Sequence, residues 1–414
     1  MQGINQTFIT CDGIEYTTNI RVLLSDGNGR WVIQIFACYY SEPELKLNVP
    51  MLINDLSGKV AKFNNTINKA ISRVLDRSCF VFGTEVAAFE KSYSEYIGVS
   101  FCRTLANGTD AIELGLRALG VKQSDMVATV ANAGFYTSTA LLAIGAIPFY
   151  LDVDIETRVV ALHEVERAIR EGVKAIVVTH LYGQAVPDII EIADRCRSAD
   201  VVLIEDCAQA HGAKVNGRKV GSFANIGCFS FYPTKNLGAL GDGGAIVTND
   251  HKLADGVTRL RQYGWSTKYQ VELAGARNSR LDEMQAAILS EFLPYLDRWN
   301  TRRREIANTY TLQIDNPLVI PPPFGGEDYV AHLYVIRSSQ RASLKSHLSN
   351  ADIASEVHYP IPDNRQLVFG SRFASVSLPN TERLAKEVLS LPCYPDMPDN
   401  YVHQVVEAVN SWKP

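Results

Sequence analysis

Short apolar runs alternate with amphipathic stretches through the middle of this chain, and this alternation limits what the chain can fold into. The apolar runs occupy residues 126–130, 147–151, 175–179, 201–205, 226–231 and 245–248. Stretches such as 162–170 and 188–197 separate them and carry apolar side chains at helical spacing. Buried strands joined by helices are typical of a parallel sheet covered on both faces. The sequence therefore predicts an α/β fold around a largely parallel sheet.

The regions on either side of this core have different patterns. Residues 1–48 contain two apolar runs, 21–24 and 30–36, around an Asp-Gly turn signal, which predicts a β-hairpin. After the sheet pattern ends, three consecutive prolines open a region with a predicted strand at 329–337. We predict an N-terminal extension (1–48), a large α/β domain (49–297) and a small α+β domain (298–414).

The composition, with 46% hydrophobic and 21% charged residues, is that of a soluble globular protein. The net charge of −5 and the lack of a basic run argue against a nucleic-acid surface. The longest nearly apolar stretch, 140–151, is shorter than the roughly 18–20 residues that span a bilayer. The eight cysteines are scattered singly, without metal-binding spacing. These features predict a cytoplasmic protein that binds neither nucleic acid nor membrane and holds no metal.

A candidate phosphate-binding element lies at Asn107-Gly108-Thr109-Asp110, just before the predicted helix 111–119. Gly108 lets the backbone approach a ligand closely, and Thr109 offers a hydroxyl. The N-terminus of a helix presents free N–H groups and the positive end of its dipole. The same residues are also ordinary for a simple helix cap, so this element alone decides nothing.

Asp206 follows the apolar run 201–205, and open α/β sheets bind ligands at the carboxyl ends of their strands. Gln209 follows three residues later and could reach the same ligand. The residue types alone leave a structural salt bridge at Asp206 and a solvated side chain at Gln209 as open alternatives.

Lys235 has an unusual setting for a lysine. An apolar approach and Pro233 precede it, and four glycines follow within residues 238–244. Such surroundings predict partial desolvation, which favours the neutral amine that attacks carbonyl carbons. Ser230, five residues earlier, could reach a phosphate. Because the glycines follow the lysine, the stretch does not match the phosphate loop of nucleoside triphosphatases.

The order of these parts along one α/β chain indicates a cofactor. A phosphate-binding element, a carboxylate at a strand end and a desolvated lysine are parts that a pyridoxal phosphate enzyme needs. The lysine forms a Schiff base with the cofactor's aldehyde, and the carboxylate pairs with the protonated pyridine nitrogen. We therefore predict pyridoxal phosphate as the cofactor.

Seven separated motifs occur in order along the chain. They are 82–86 (Phe-Gly-Thr-Glu-Val), 107–111 (Asn-Gly-Thr-Asp-Ala), 180–184 (His-Leu-Tyr-Gly-Gln), 205–212 (Glu-Asp-Cys-Ala-Gln-Ala-His-Gly), 229–244, 278–287 and 358–362 (His-Tyr-Pro-Ile-Pro). In these motifs, from about residue 49 onward, the chain resembles the sugar aminotransferases of the DegT/DnrJ/EryC1/StrS family. The resemblance implies fold type I of the pyridoxal phosphate enzymes, with a mainly parallel seven-stranded sheet.

The resemblance also implies a role for each candidate residue. Lys235 would form the Schiff base, Asp206 would hold the pyridinium nitrogen, and Gln209 would contact the ring hydroxyl. The residues implied to bind the cofactor's phosphate are Gly108, Thr109 and Ser230.

Two further cofactor contacts are implied. Asn278 would reach the phosphate of the cofactor in a neighbouring subunit, which implies a homodimer. An aromatic ring after Val130 would stack on the cofactor. The spelling of residues 130–136 departs from the family's usual pattern here, so Phe135 and Tyr136 both stay open, with Phe135 as our candidate.

The implied activity is amination of a nucleotide-linked 3-keto-6-deoxyhexose for glycan biosynthesis, with dTDP as the expected nucleotide and glutamate as the expected donor. A C4 aminotransferase of a 4-keto nucleotide sugar and a non-catalytic regulatory protein of the same fold are the alternatives. Lys235 argues against the family's dehydratases, which have a histidine in its place. The candidate substrate contacts, each equally compatible with ordinary packing, are His180, Tyr182, Tyr310, His332 and Tyr359.

Overall fold

A computed structural model describes residues 3–9, 15–21, 51–323 and 325–414. Residues 1–49 and 50–414 form two compact units. In the first unit, strands β1 (Gly3–Ile9) and β2 (Glu15–Arg21) pair in antiparallel fashion. The hairpin predicted at 21–36 lies, apart from its first residue, outside the described residues.

The second unit contains the remaining strands and all twelve α-helices of the described residues. The strands are β3 (Phe101–Leu105), β4 (Met126–Val130), β5 (Ile147–Leu151), β6 (Ala175–Thr179), β7 (Val202–Asp206), β8 (Lys214–Val215), β9 (Arg218–Lys219), β10 (Ile226–Ser230), β11 (Gly244–Thr248), β12 (Trp265–Thr267), β13 (Gln270–Val271), β14 (Tyr334–Arg337) and β15 (Val388–Leu391). The helices are α1 (Ser57–Arg77), α2 (Thr84–Ile97), α3 (Gly108–Ala118), α4 (Tyr136–Ile144), α5 (Leu162–Arg170), α6 (Ile189–Ser198), α7 (His251–Leu260), α8 (Glu283–Phe292), α9 (Leu296–Gln313), α10 (Arg341–Asn350), α11 (Pro379–Glu387) and α12 (Asp399–Ser411). Short 3-10 helices lie at 181–183, 293–295, 363–365 and 367–369.

The central sheet has seven strands in the order β3-β11-β10-β7-β6-β4-β5. The five strands from β10 to β5 run parallel, and β11 runs antiparallel to both of its neighbours. The prediction of a mainly parallel seven-stranded sheet is therefore confirmed. This topology brings the carboxyl ends of β6 and β7 to one edge of the sheet, where ligands bind in such folds.

Helices cover both faces of the sheet, as the side chains of β10 show. Phe229 packs in a core cluster with α1, α2 and α8, whereas the preceding Cys228 packs in a second cluster with α3 and α7. Successive side chains of a strand point to opposite faces. The apolar runs of the sequence are therefore buried from two sides, which is why they lack the alternation of a half-exposed strand.

The C-terminal part packs around its own core. Strands β14 and β15 pair in antiparallel fashion, and side chains of α9, α10 and α12 surround them. The predicted boundary between residues 297 and 298 falls in the first turn of α9 and stays a prediction. Among the described residues, no helix combines the length and the apolar character needed to cross a bilayer.

Candidate active site

A cavity of about 720 Å³ lies where β6, β7 and β10 end beside the N-terminus of α3. Residues from these elements and from the C-terminal part of the chain line it together. Among them are Gly108, Thr109, Tyr136, Thr179, Asp206, Gln209, Ser230, Lys235, His332, Glu356, His358 and Tyr359. The sheet topology thus brings the predicted phosphate, acid and lysine elements to one place.

Lys235 lies in a loop after β10 that is anchored on both sides of the lysine. Phe231 and Leu237 are fully buried in the core. Gly238 approaches Pro233 so closely that a Cβ atom would lie 2.2 Å from the proline carbonyl oxygen. Any other residue at position 238 would push the loop apart, so this glycine permits the tight bend.

Lys235 lines the cavity and is half-buried. Burial lowers the pKa of the amine to about 8, although the negative charge of Asp206 acts in the opposite direction. Desolvation disfavours the charged form of a lysine. A substantial fraction of Lys235 is therefore neutral, and nucleophilic, near physiological pH.

Asp206 is the last residue of β7 and is 6% exposed. Its Oδ1 atom accepts a hydrogen bond of 3.1 Å from the Ala208 N–H. Burial raises the pKa of the Asp206 carboxyl, whereas the Ala208 N–H and the charges of Lys235 and His180 lower it. A cation held next to this carboxylate would stabilise its charge.

Gly108, Thr109 and Ser230, which are predicted to bind phosphate, lie together in the cavity wall. Asn107 caps α3 by accepting the Asp110 N–H at 2.8 Å. A Cβ atom on Gly108 would lie 2.7 Å from the Ser230 Cβ, so glycine allows the helix to begin against this serine. The start of α3 thereby presents its amides beside two hydroxyl groups, an arrangement that binds phosphate.

His211 contacts the backbone of Ser230 and helps to fix its position. This residue was not identified in the sequence analysis. Its Nε2 atom lies 2.9 Å from the Ser230 carbonyl oxygen, and its Nδ1 atom lies 2.9 Å from the Tyr93 hydroxyl. Burial lowers the pKa of His211 to about 3. The ring is therefore neutral, donating to Ser230 and accepting from Tyr93. Its place in the motif 205–212 was the only signal available.

Asn236, another residue that the sequence did not single out, fixes the loop directly after Lys235. Its Nδ2 atom donates to Asn300 Oδ1 at 2.8 Å and to the Val330 carbonyl at 3.0 Å. Its Oδ1 atom therefore accepts from His332 Nδ1 at 2.9 Å. Burial holds the pKa of His332 well below its usual value. The neutral ring thus keeps Nε2 as a hydrogen-bond acceptor in the cavity wall.

Gln209 lines the cavity with both ends of its amide engaged. Its Oε1 atom accepts the Tyr182 N–H at 2.7 Å, and its Nε2 atom donates to the Tyr359 hydroxyl at 3.1 Å. The glutamine therefore fixes the position of Tyr359, and its predicted contact with a cofactor hydroxyl stays a prediction.

Of the two candidate stacking residues, Tyr136 lines the cavity and Phe135 does not. Phe135 has a left-handed backbone with φ of 71°, and its ring packs against Phe369 with centroids 5.6 Å apart. This backbone turn directs the two neighbouring rings differently. Phe135 as the stacking residue therefore stays a prediction, and Tyr136, the alternative that the sequence left open, is the one of the two that lines the cavity.

The five candidate substrate residues divide into two groups. His332 and Tyr359 line the cavity, whereas His180, Tyr182 and Tyr310 do not. Each of the latter three is buried, and each side chain has a partner in the protein. The hydroxyl of Tyr310, for example, donates to the Pro392 carbonyl in the C-terminal core. These three positions therefore favour packing over substrate contact.

Asn278, the residue implied to serve a neighbouring subunit, is exposed and does not line the cavity of its own chain. It pairs through its backbone with Gln262. This position leaves the side chain available to a second molecule.

His180, Glu205 and Cys207 lie close enough together to suggest a metal site. Glu205, however, already accepts the backbone N–H groups of Gly221, Phe223 and Ala224 at 2.7–2.9 Å. The ring of His180 is also engaged at both nitrogen atoms. These contacts are structural and leave no free ligand set there.

The chain is similar to known aminotransferases over most of its length. A sequence profile described as the DegT/DnrJ/EryC1/StrS aminotransferase family matches residues 62–410. The chain is 42% identical to the dTDP-3-amino-3,6-dideoxy-alpha-D-galactopyranose transaminase of Aneurinibacillus thermoaerophilus, over 88% of this chain and 99% of the relative. It is also 40% identical to a protein named pleiotropic regulatory protein from Geobacillus stearothermophilus, over 88% of this chain and 98% of the relative.

A solved structure is similar over the same region. It is S. venezuelae DesV in complex with a ketimine intermediate, which is 35% identical and superposes with a TM-score of 0.82. The match covers 88% of this chain and 98% of that one.

Proposed function

Because this chain belongs to the DegT/DnrJ/EryC1/StrS aminotransferase family, we propose that it transfers an amino group to carbon 3 of a nucleotide-linked 3-keto-6-deoxyhexose. Membership confirms the predicted family, the aminotransferase class and the pyridoxal phosphate cofactor. The observation that carries the proposal is that Lys235 and Asp206 line one cavity beside the N-terminus of α3. A dTDP nucleotide and a glutamate donor are parts of the proposal.

The residues of the cavity fit the cofactor. Gly108, Thr109 and Ser230 provide donors for a dianionic phosphate, and Lys235 provides the amine. The Thr179 hydroxyl is buried, lines the cavity and has no hydrogen-bond partner among the described residues. A buried polar atom without a partner is rare in folded proteins, so a bound ligand would account for it.

Two residues would carry out the chemistry. When bound, pyridoxal phosphate supplies an aldehyde that takes up the amino group and a ring that accepts electrons from the broken C–H bond. The Asp206 carboxylate would hold the positive charge on the ring nitrogen. Lys235 Nζ would take the proton from the donor's α-carbon and return one to carbon 3 of the sugar. With a pKa of about 8, this amine can release and take up protons near neutral pH.

The surrounding side chains would orient the reactants. His332 and Tyr359 line the cavity, and we propose that His332 Nε2 and the Tyr359 hydroxyl bind the sugar. Apolar side chains of Ile53, Leu333 and Leu391 line the same cavity and limit its water content. Limited water strengthens the electrostatic interactions of Asp206 and Lys235.

We also propose a homodimer in which Asn278 contributes to the partner's site. Phe80 and Phe82 are 47% and 38% exposed, and Phe82 lies under the Arg261 guanidinium. The neighbouring Gln262 pairs with Asn278. Exposed apolar side chains next to the proposed contact suit an interface. A cytoplasmic location stays a prediction.

The test is an assay of the purified, cofactor-loaded protein with L-glutamate and a panel of keto-sugar nucleotides. The proposal predicts 2-oxoglutarate and a 3-amino sugar from the dTDP-linked 3-keto-6-deoxyhexose, detected by mass spectrometry. Amination of a 4-keto sugar instead would establish the C4 alternative.

A second candidate, binding without turnover, is suggested by the name of the Geobacillus relative. Cofactor binding with no amination of any sugar in the panel would favour that candidate. The presence of both Lys235 and Asp206 in the cavity argues for catalysis, since a silent binding protein needs neither.

A further inference from the structure

The turn that leads into helix α4 has a strained backbone. Gly134 and Phe135 both adopt left-handed conformations, with φ of 81° and 71°. For a residue other than glycine this conformation costs about 1–2 kcal/mol. Phe135 is the residue before the first helical residue, Tyr136, and has no side chain that can cap the helix. The surrounding structure must therefore hold this turn in place.

A carboxylate from the C-terminal part of the chain holds it. Asp363 Oδ1 accepts the Phe135 N–H at 3.0 Å, and Oδ2 accepts the Ser138 hydroxyl at 2.7 Å. The Asp363 N–H donates to the Ala131 carbonyl at 2.7 Å. Asp363 is 1% exposed. Asp363 thus holds the turn through its backbone at Ala131 and through its carboxylate at Phe135 and Ser138.

The turn forms part of the cavity wall. Tyr136 follows Phe135 directly and lines the cavity, where its ring lies edge-on to Tyr359 with centroids 6.3 Å apart. A Cβ atom on Gly134 would lie 2.8 Å from the Tyr359 ring. Tyr359 and Asp363 belong to the same C-terminal segment. This segment therefore contacts the turn twice, once through the ring and once through the carboxylate.

We propose that Asp363 is a positioning residue that holds Tyr136 in the cavity wall against the cofactor. The inference rests on the proposed function, because it needs a cofactor in the cavity. Asp363 would touch neither cofactor nor substrate and would act on the site only by holding the turn before Tyr136.

The hydrogen-bond chain behind Asp363 predicts which substitution is tolerated. Ser138 Oγ lies 2.9 Å from the Tyr150 hydroxyl, and either group can be the donor. An asparagine at position 363 can accept the Phe135 N–H and donate to Ser138, which then donates to Tyr150. A leucine of similar size can do neither.

The experiment measures the dissociation constant for pyridoxal phosphate by equilibrium dialysis for wild type, Asp363→Asn and Asp363→Leu. We expect Asp363→Leu to weaken binding at least tenfold and Asp363→Asn to stay within about threefold of wild type. Asp250→Ala is the matched control. Asp250 caps α7 by accepting two backbone N–H groups and does not line the cavity. Its removal should lower the melting temperature and leave cofactor affinity unchanged.

A double-mutant cycle with Tyr136→Ala tests whether Asp363 acts through the tyrosine. In the Tyr136→Ala background, Asp363→Leu should change the dissociation constant by less than about twofold. Full additivity of the two effects would overturn the inference, as would wild-type affinity in folded Asp363→Leu. Should Asp363→Leu fail to fold, Ser138→Ala, which removes one of the two side-chain contacts, takes its place in the same cycle.

The outcomes separate the two proposals. If the wild-type protein binds no pyridoxal phosphate, both the proposed function and this inference fail. If the wild type binds and turns over while Asp363→Leu binds equally well, only the inference fails.

Discussion

The Asp206 carboxylate and the Lys235 amine act on each other's protonation within one cavity. The charge of Asp206 raises the pKa of Lys235, and the charge of Lys235 lowers the pKa of Asp206, against the larger effect of burial on both. Asp206 ends β7 in register with Cys228 of β10, and the Lys235 loop follows β10. Pairing of these two neighbouring strands therefore brings the acid and the amine together.

Replacing Asp206 with asparagine should impair chemistry more than binding. Asparagine has a similar shape but cannot hold a positive charge on the ring nitrogen. We expect kcat to fall at least about 100-fold, the scale of losing one charge-stabilising group. Steady-state kinetics checks this, and a loss of less than about threefold would show that Asp206 is not the partner of the ring nitrogen.

Glu205 provides the matched control for Asp206, because it is the preceding residue of the same strand. Its two carboxylate oxygens accept three backbone N–H groups, and the single amide oxygen of a glutamine cannot accept all three. Glu205→Gln should therefore lower the free energy of unfolding by roughly 1–3 kcal/mol, since a buried donor loses its acceptor. Denaturant titration measures this, and the change in kcat should be much smaller than for Asp206→Asn.

The rate of covalent cofactor capture should depend on pH through Lys235. Only the neutral amine attacks the aldehyde, and the pKa of Lys235 is lowered to about 8. The rate constant should rise about tenfold per pH unit below pH 8 and level off above it. Stopped-flow absorbance with cofactor-free protein checks this. A rate that continues to rise up to pH 10 would mean that the amine has the pKa of an ordinary lysine.

The proposed phosphate contacts of Thr109 and Ser230 can be tested with two forms of the ligand. Thr109→Val and Ser230→Ala each remove one hydroxyl donor, which should weaken pyridoxal phosphate binding about tenfold or more. The affinity for pyridoxal, which has no phosphate, should change little. An equal loss of affinity for both ligands would indicate general damage to the cavity.

Asp363 should make stability depend on pH. Burial raises the pKa of this carboxyl to about 7 from its ordinary 3.8, so the folded state favours the protonated form. Its stabilising contribution is complete below about pH 4 and is lost as the pH rises through 7. Asparagine does not titrate, so Asp363→Asn should gain stability relative to wild type by up to roughly 4 kcal/mol between pH 4 and 8. Urea titrations across this range check the trend, and parallel curves would contradict it.

Much of the sheet could be predicted from the sequence because buried strands have a strong apolar signal. The strands at 126–130, 147–151 and 175–179 have the predicted bounds. The predicted strand 329–337 shortens to Tyr334–Arg337, because Val330 and Leu333 donate their N–H groups to Gly183 and Tyr182 instead. Such tertiary contacts leave no local pattern in the sequence.

Site residues could be predicted where the chemistry requires one residue type. They could not be predicted where the local backbone conformation determines which side chain enters the cavity. Lys235 and Asp206 were identified by their settings, and both line the cavity. The different directions of the Phe135 and Tyr136 rings result from one left-handed residue, which no sequence pattern indicates. Tyr310, a predicted substrate contact, lies in the C-terminal core, because α9 directs its side chain there.

Borohydride reduction of the cofactor-loaded protein, followed by peptide mass spectrometry, identifies the amine that binds the cofactor, which we propose to be Lys235. Lys59 is an internal control, because burial also lowers the pKa of its amine to about 8. Its amine donates to the Gly238 carbonyl. We expect a pyridoxyl group on the peptide that contains Lys235 and none on the peptide that contains Lys59. A label on Lys59, or no label on Lys235, would contradict it.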